Sequence, residues 1–163
     1  MNRIFCVSVL ILTASFCFAS VSAQKLTAQQ MLQATKFLQD KPFDEQAPTI
    51  RAAAVKFAIE TKDVTVTVCG GDITKPFLDK ANKNSAALIA QYTIAMTALK
   101  MANPTAEENA IQLAALNSVL KTYEAMIREK PKTQFAPMDE YIGKRDRGEL
   151  QALVEKADCG KKN

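Results

Sequence analysis

Residues 86–101 read AALIAQYTIAMTALKM, and this stretch decides the fold class. Most of its residues are strong helix formers, and its apolar residues recur every three or four positions, as on one face of a helix. The face consists of Leu88, Tyr92, Ala95 and Leu99, and it is widened by Ile89 and Met96. A face this broad is typical of a helix that is buried among other helices. The stretch therefore predicts the central helix of an all-α bundle, which Asn103-Pro104 ends.

The next segment, residues 105–130, predicts a long amphipathic helix. Thr105 and Glu108 have the spacing of a capping box, in which two side chains satisfy free backbone N–H groups at the start of a helix. Glu107 and Glu108 also place negative charge in the first turn, where the helix dipole favours it. The apolar face of this helix is formed by Leu113, Leu116, Leu120, Tyr123 and Ile127.

Shorter helices are predicted before the central one. Thr27 and Gln30 form a second capping-box pattern, which opens a helix that runs to Asp40. Pro48 suits the first turn of the next helix, and Pro76 opens a short third one, because a proline at that position loses no helical hydrogen bond.

The C-terminal part predicts less helix. Residues 132–147 are expected to form a loop with about one helical turn, because Pro137 and Gly143 interrupt the helical pattern. A last short helix is expected between Glu149 and Cys159. The chain is thus predicted to form a single small bundle of about five to six helices.

Residues 64–68, VTVTV, depart from this pattern because apolar and polar residues alternate with a period of two. A strand of five residues cannot satisfy its own backbone N–H and C=O groups. The segment is therefore an extended connector lying on the helices, an edge paired with another short segment, or a distorted helix. We favour the extended connector, whose valines close one end of the bundle.

Residues 1–23 have the pattern of a cleavable export signal. A basic residue precedes an apolar stretch of about fifteen residues, and residues 21–23, VSA, supply the small residues of a cleavage site. Lipidation of Cys17 is disfavoured because the bulky Phe16 precedes it. We therefore predict a periplasmic or secreted protein, in which residues 24–163 form a single helical domain without a membrane span.

Two cysteines remain after the signal is removed. Cys6 and Cys17 leave with it, and Cys69 and Cys159 have one pairing available within the chain in an oxidising compartment. We predict a Cys69–Cys159 disulfide that ties the extended segment to the C-terminal helix. Closing a loop of about 90 residues stabilises a fold by about 4 kcal/mol in the chain-entropy model.

The composition argues against several chemistries. The chain contains no histidine, the commonest general base and a frequent metal ligand. Neighbouring carboxylates on a helix diverge by about 100 degrees and do not face one substrate. Such pairs are Asp44-Glu45, Glu107-Glu108 and Asp139-Glu140. Residues 79–84 lack the ligands of an EF-hand, and no phosphate-binding glycine loop occurs. We expect no enzymatic activity, no cofactor and no metal.

The net charge of +4 falls to +3 without the signal, and charges of both signs are scattered along the chain. No basic stripe indicates a nucleic-acid partner. Phe135, Met138 and Tyr141 form an apolar group in the predicted loop, which either plugs the end of the bundle or forms a contact patch for a partner.

Three functions are compatible with these patterns. The preferred one is an exported, non-enzymatic protein that binds another macromolecule, such as an envelope component, a toxin or a host target. The alternative is a small-molecule or lipid carrier whose cavity is lined by Met96, Met101 and Met126. A carboxylate-dependent hydrolase is the least favoured. The oligomeric state is left open.

Overall fold

A computed structural model describes residues 26–159, and within them seven α-helices form a bundle without any β-strand. The helices are α1 (Ala28–Asp40), α2 (Ala47–Glu60), α3 (Lys75–Leu78), α4 (Ser85–Ala102), α5 (Glu108–Glu129), α6 (Ala136–Asp146) and α7 (Leu150–Ala157), and a 3-10 turn at Pro131–Thr133 precedes α6. The predicted all-α class is confirmed. The export signal predicted for residues 1–23 lies outside the described residues, as does Gly160 onward.

The central helix is α4, which packs against α1, α2, α3 and α5. One side of α4 joins a large apolar core shared with α3, α5, α6 and α7, to which it contributes Leu88, Tyr92, Ala95 and Met96. The opposite side joins a second core with α1 and α2 through Ile94 and Ala98. Burial on two sides explains the broad apolar face of the sequence.

A buried polar chain fixes how α1, α4 and α5 are aligned. The side-chain amide of Gln91 donates to the backbone oxygen of Thr35 at 3.0 Å and to the hydroxyl of Ser118 at 2.9 Å. The Ser118 hydroxyl donates in turn to Gln39 Oε1 at 3.3 Å. Buried polar groups that lose such partners are costly, so this chain specifies one register of the three helices.

The two predicted capping boxes have different outcomes. At α1 both reciprocal hydrogen bonds between Thr27 and Gln30 form, so that prediction is confirmed. At α5 the prediction is wrong, because the helix begins at Glu108 and its N-cap makes no side-chain hydrogen bond. The Glu108 carboxylate instead lies 3.6 Å from Lys100 Nζ and accepts from Gln112. The Glu108 side chain thus contacts Lys100 of α4 and Gln112 of α5 and does not cap the helix.

The predicted loop over residues 132–147 is also wrong, because most of it is helix α6. Pro137 occupies the first turn, where no helical N–H bond is lost, so it starts the helix rather than breaking it. Gly143 is tolerated inside the helix at a cost of about 1 kcal/mol. Burial of Met138 and Tyr141 against the main core offsets that cost. This additional helix brings the number above the expected five to six.

Residues 64–68 form the predicted extended segment within the connection between α2 and α3. Val66 packs against the main core, and the backbone oxygen of Thr67 accepts from Gln112 Nε2 at 2.7 Å. Val68 remains 45% exposed, so the valines do not all close the bundle. None of the helices in the described part combines the length and apolarity that a membrane span requires.

Candidate functional site

The predicted disulfide joins the connector to the end of α7. Cys69 and Cys159 are bonded, their Cα atoms are 5.6 Å apart, and 90 positions separate them in the chain. Cys69 is buried, while Cys159 is partly exposed just after α7. Asp158 turns the chain there with a left-handed backbone, φ 43°. The covalent bond therefore holds α7 beside the segment that leads into α3.

The three residues of the predicted contact patch are packed inward. Met138 is fully buried, Tyr141 is 7% exposed, and Phe135 is partly buried against the main core. The backbone N–H of Phe135 also donates to the hydroxyl of Tyr123 at 2.7 Å. Of the two alternatives for this group, the burial favours a plug at the end of the bundle, and Tyr141 also lines a cleft.

That cleft lies between α3, α6 and α7 and has a volume of about 430 Å³. Its walls come from the turn before α3, from α3 itself, from α6 and from one residue of α7. They are Asp72, Lys75, Pro76, Asp79, Pro137, Glu140, Tyr141, Lys144 and Leu153. We call it the α3–α6–α7 cleft. Asp72 follows Cys69 by three positions in sequence, and Leu153 precedes Cys159 by six, so both ends of the disulfide lie near lining residues in the chain.

Tyr141 links the α6 wall of the cleft to the turn before α3. Its hydroxyl donates to the backbone oxygen of Asp72, and Lys144 Nζ lies 5.0 Å from the centre of its ring. Burial raises the pKa of Tyr141, and the nearby carboxylates of Asp72 and Glu140 raise it further. The phenol therefore stays neutral near pH 7 and acts as a hydrogen-bond donor rather than as a base.

The charged residues of the cleft are not neutralised by one another. Among residues 26–159, no ion pair within 4.0 Å involves any of the five. They are Asp72, Lys75, Asp79, Glu140 and Lys144. Lys75 with Asp79, and Glu140 with Lys144, have the four-residue spacing that favours an ion pair on a helix. Neither pair forms one within 4.0 Å. The cleft therefore presents both signs of charge to solvent.

Helix α6 is held on α5 by a partly buried ion pair. Both guanidinium nitrogens at the end of Arg145 bond the carboxylate of Glu124, at 2.7 and 2.8 Å. The hydrogen bonds to Glu124 are the largest cause of the raised pKa of Arg145. Two parallel bonds fix orientation as well as distance. The α6 wall of the cleft is thus anchored.

One carboxylate of each pair that the sequence places side by side has a structural role. Asp139 accepts from the hydroxyl of Tyr123 at 2.9 Å and from Gln134 at 2.9 Å, and Asp44 accepts from a backbone N–H of the following turn. Glu108 is engaged by Lys100 and Gln112, as described above. Within residues 26–159, no group of three or more acidic or cysteine side chains is close enough to hold a metal ion.

The methionines proposed for a carrier cavity are not brought together. Met96 and Met126 are fully buried in the main core, whereas Met101 lines a separate open cleft of about 430 Å³. This apolar cleft lies at the start of α1 and includes Leu26, Val64 and Pro104.

Sequence reasoning missed the α3–α6–α7 cleft. Oppositely charged residues four apart, Lys75 with Asp79 and Glu140 with Lys144, are a visible signal. Their convergence depends on α6 being a helix, which the proline in its first turn concealed.

A comparison with known protein families, curated proteins and solved structures finds no match.

Proposed function

We propose that this chain is an exported, non-enzymatic protein that binds another macromolecule through the α3–α6–α7 cleft. The observation that carries the proposal is the set of five charged side chains, of both signs, that share one cleft without an ion pair among the described residues. A partner protein with complementary charges gains an ion pair at each of them. Such pairs accelerate association and fix the orientation of the two surfaces.

Rigid walls support the same function. The disulfide holds α7, the Tyr141 hydroxyl bonds the turn before α3, and Arg145 anchors α6 to α5. A preformed site loses little conformational freedom when a partner binds, so more of the interaction energy contributes to affinity.

Export and the absence of catalysis are supported mainly by the sequence. The export-signal pattern of residues 1–23 agrees with the Cys69–Cys159 disulfide, because disulfides persist in oxidising compartments. The chain has no histidine to act as a general base, and the raised pKa of Tyr141 makes this phenol a poor one near neutral pH.

The proposal is tested by reversing the two positive charges of the cleft. The exported chain is immobilised and exposed to an envelope extract of its source cells, as wild type and as the Lys75→Glu/Lys144→Glu variant. A matched control, Lys62→Glu/Lys132→Glu, makes the same change of charge at two exposed positions outside this cleft. Circular dichroism confirms that all three chains are folded.

We expect the wild type and the control to retain the same partner. The amount that the cleft variant retains should be lower by about tenfold or more. Equal retention by the cleft variant would show that binding occurs elsewhere on the protein. Failure of the wild type to retain any macromolecule would contradict the proposal as a whole.

A carrier function is the second candidate, and the apolar cleft at the start of α1 favours it. A volume of about 430 Å³ lies within the range of small-molecule sites, about 300–1,000 Å³. Native mass spectrometry of the purified chain should then show a bound apolar molecule, and Met101→Glu should abolish it. A chain without adducts would exclude this alternative.

A further inference from the structure

A different cleft lies between the end of α1 and the C-terminal half of α5, and it is lined by two carboxylates and two cations. Its volume is about 540 Å³, and it is lined by Gln39, Asp40, Lys121, Glu124, Ala125 and Arg128. We call it the α1–α5 cleft. Only α1 and α5 contribute to it, so it shares no lining residue with the α3–α6–α7 cleft.

The two carboxylates of the α1–α5 cleft are already neutralised by cations that do not line it. Asp40 lies 2.5 Å from the ammonium group of Lys36. Glu124 receives two hydrogen bonds from Arg145, which also contacts Asp146 at 2.9 Å. These carboxylates are therefore poorly placed to neutralise the remaining cations of the cleft.

The two cations of the cleft have no such partner. Within residues 26–159, neither Lys121 nor Arg128 takes part in an ion pair within 4.0 Å. They are seven positions apart on α5, so they share one face of the helix and are about 10 Å apart along its axis. When the ion-paired neighbours Lys36, Arg145 and Asp146 are included, four cations face three carboxylates, which leaves a net charge of +1 around the cleft.

A neutral donor is held between the helices at the same place. Gln39 Oε1 accepts from Ser118, which is itself fixed by the buried Gln91. The amide nitrogen of Gln39 makes no hydrogen bond with the described residues, so its two N–H groups remain for a ligand. The C-terminal ends of α1 and α5 both lie near the cleft, since Arg128 is in the last turn of α5. Each end opposes an anion with roughly half a charge, and together they amount to less than the two full positive charges of Lys121 and Arg128.

From this arrangement we infer that the α1–α5 cleft binds a phosphate-bearing ligand with two anionic groups about 10 Å apart. Arg128 offers a planar fork that matches phosphate oxygens, while Lys121 offers a point charge two turns earlier on α5. The Gln39 amide donates between them. Linear polyphosphate and a surface of anionic phospholipid headgroups both carry this chemistry.

The test uses sodium polyphosphate and two kinds of vesicle, phosphatidylglycerol and phosphatidylcholine, with the complete exported chain. Calorimetry measures binding of polyphosphate, and co-sedimentation measures binding to vesicles. The variants are Lys121→Ala/Arg128→Ala, the single Arg128→Lys, and the control Lys62→Ala/Lys132→Ala, which removes the same charge elsewhere. The substituted residues are exposed, so every variant should remain folded, and melting curves verify this for each of them.

We expect the wild type to bind at low salt and to weaken as the salt concentration rises. The double variant should lose about tenfold or more of the affinity, the control less than about threefold, and Arg128→Lys should fall between them. Binding of polyphosphate alone identifies a free anion, and binding of phosphatidylglycerol alone identifies a lipid headgroup.

Two results would overturn the inference. The first is a wild type that binds neither polyphosphate nor phosphatidylglycerol, and the second is an equal loss in the double variant and the control. Because the proposed macromolecular partner is tested with Lys75 and Lys144, failure of one proposal leaves the other intact.

Discussion

Removal of the Cys69–Cys159 disulfide should destabilise the bundle strongly. The bond closes a loop with a sequence separation of 90 residues. In the chain-entropy model this corresponds to about 4.5 kcal/mol at 25 °C. Unfolding of about 140 residues has an entropy of roughly 0.3 kcal/mol/K, so the melting temperature should fall by about 15 °C.

The assay compares thermal unfolding of the wild type with that of Cys69→Ala/Cys159→Ala by circular dichroism. Alanine is preferable to serine at Cys69, because a hydroxyl buried at 3% exposure needs a hydrogen-bond partner. The wild type with its disulfide reduced by dithiothreitol is the matched control, since it lacks the bond but keeps both sulfur atoms. The two should melt within a few degrees of each other.

A decrease of less than about 5 °C in both the variant and the reduced wild type would refute the reasoning. It would mean that α7 is held by the burial of Leu150 and Val154 alone. A large decrease in the variant but not in the reduced wild type would assign the loss to packing of the Cys69 side chain.

Three further predictions follow from local contacts. Thr27→Ala should cost about 1 kcal/mol of unfolding free energy by removing the α1 capping box, whereas Thr105→Ala should cost almost nothing; equal losses in urea titrations would contradict this. Arg145→Ala should cost on the order of 1 kcal/mol in the same titrations, because a partly exposed bidentate pair with Glu124 is lost; an unchanged midpoint would show that α6 is anchored by its apolar contacts alone. The pKa of Tyr123 is raised to about 12 by its burial first, so its contribution to stability is complete below pH 10 and is lost as pH rises through 12. Tyr123→Phe should therefore lessen the alkaline loss of stability, and a variant that unfolds over the same pH range as the wild type would contradict this.

The two longest helices could be predicted from the sequence because their apolar residues follow the helical period without interruption. Leu88 and Tyr92 mark α4, and Leu116 and Leu120 mark α5, and all four are fully buried. The disulfide could also be predicted, because removal of the predicted signal leaves two cysteines with one internal pairing.

The errors arise where tertiary contacts outweigh local signals. Pro137 is a breaker inside a helix but a good residue in its first turn, and only burial of Met138 and Tyr141 shows which applies. Glu108 has the spacing of a cap, yet Lys100 from the preceding helix engages it. Neither contact can be read from local sequence.

The α3–α6–α7 cleft could not be predicted from local sequence for the same reason. Lys75 belongs to α3 and Asp79 directly follows it, while Glu140 and Lys144 belong to α6, more than sixty positions later. Their meeting depends on the packing of α3 against α6 and on the bond between the Tyr141 hydroxyl and Asp72.

Occupation of the α3–α6–α7 cleft by a partner can be measured most directly by cross-linking within source cells. A photo-activated amino acid replaces Glu140, which lines the cleft, or Lys62, which lies on the connector outside it. After illumination, position 140 should yield a discrete covalent adduct with one partner, and position 62 should not. No adduct at position 140, or the same adducts at both positions, would show that this cleft is not the contact site.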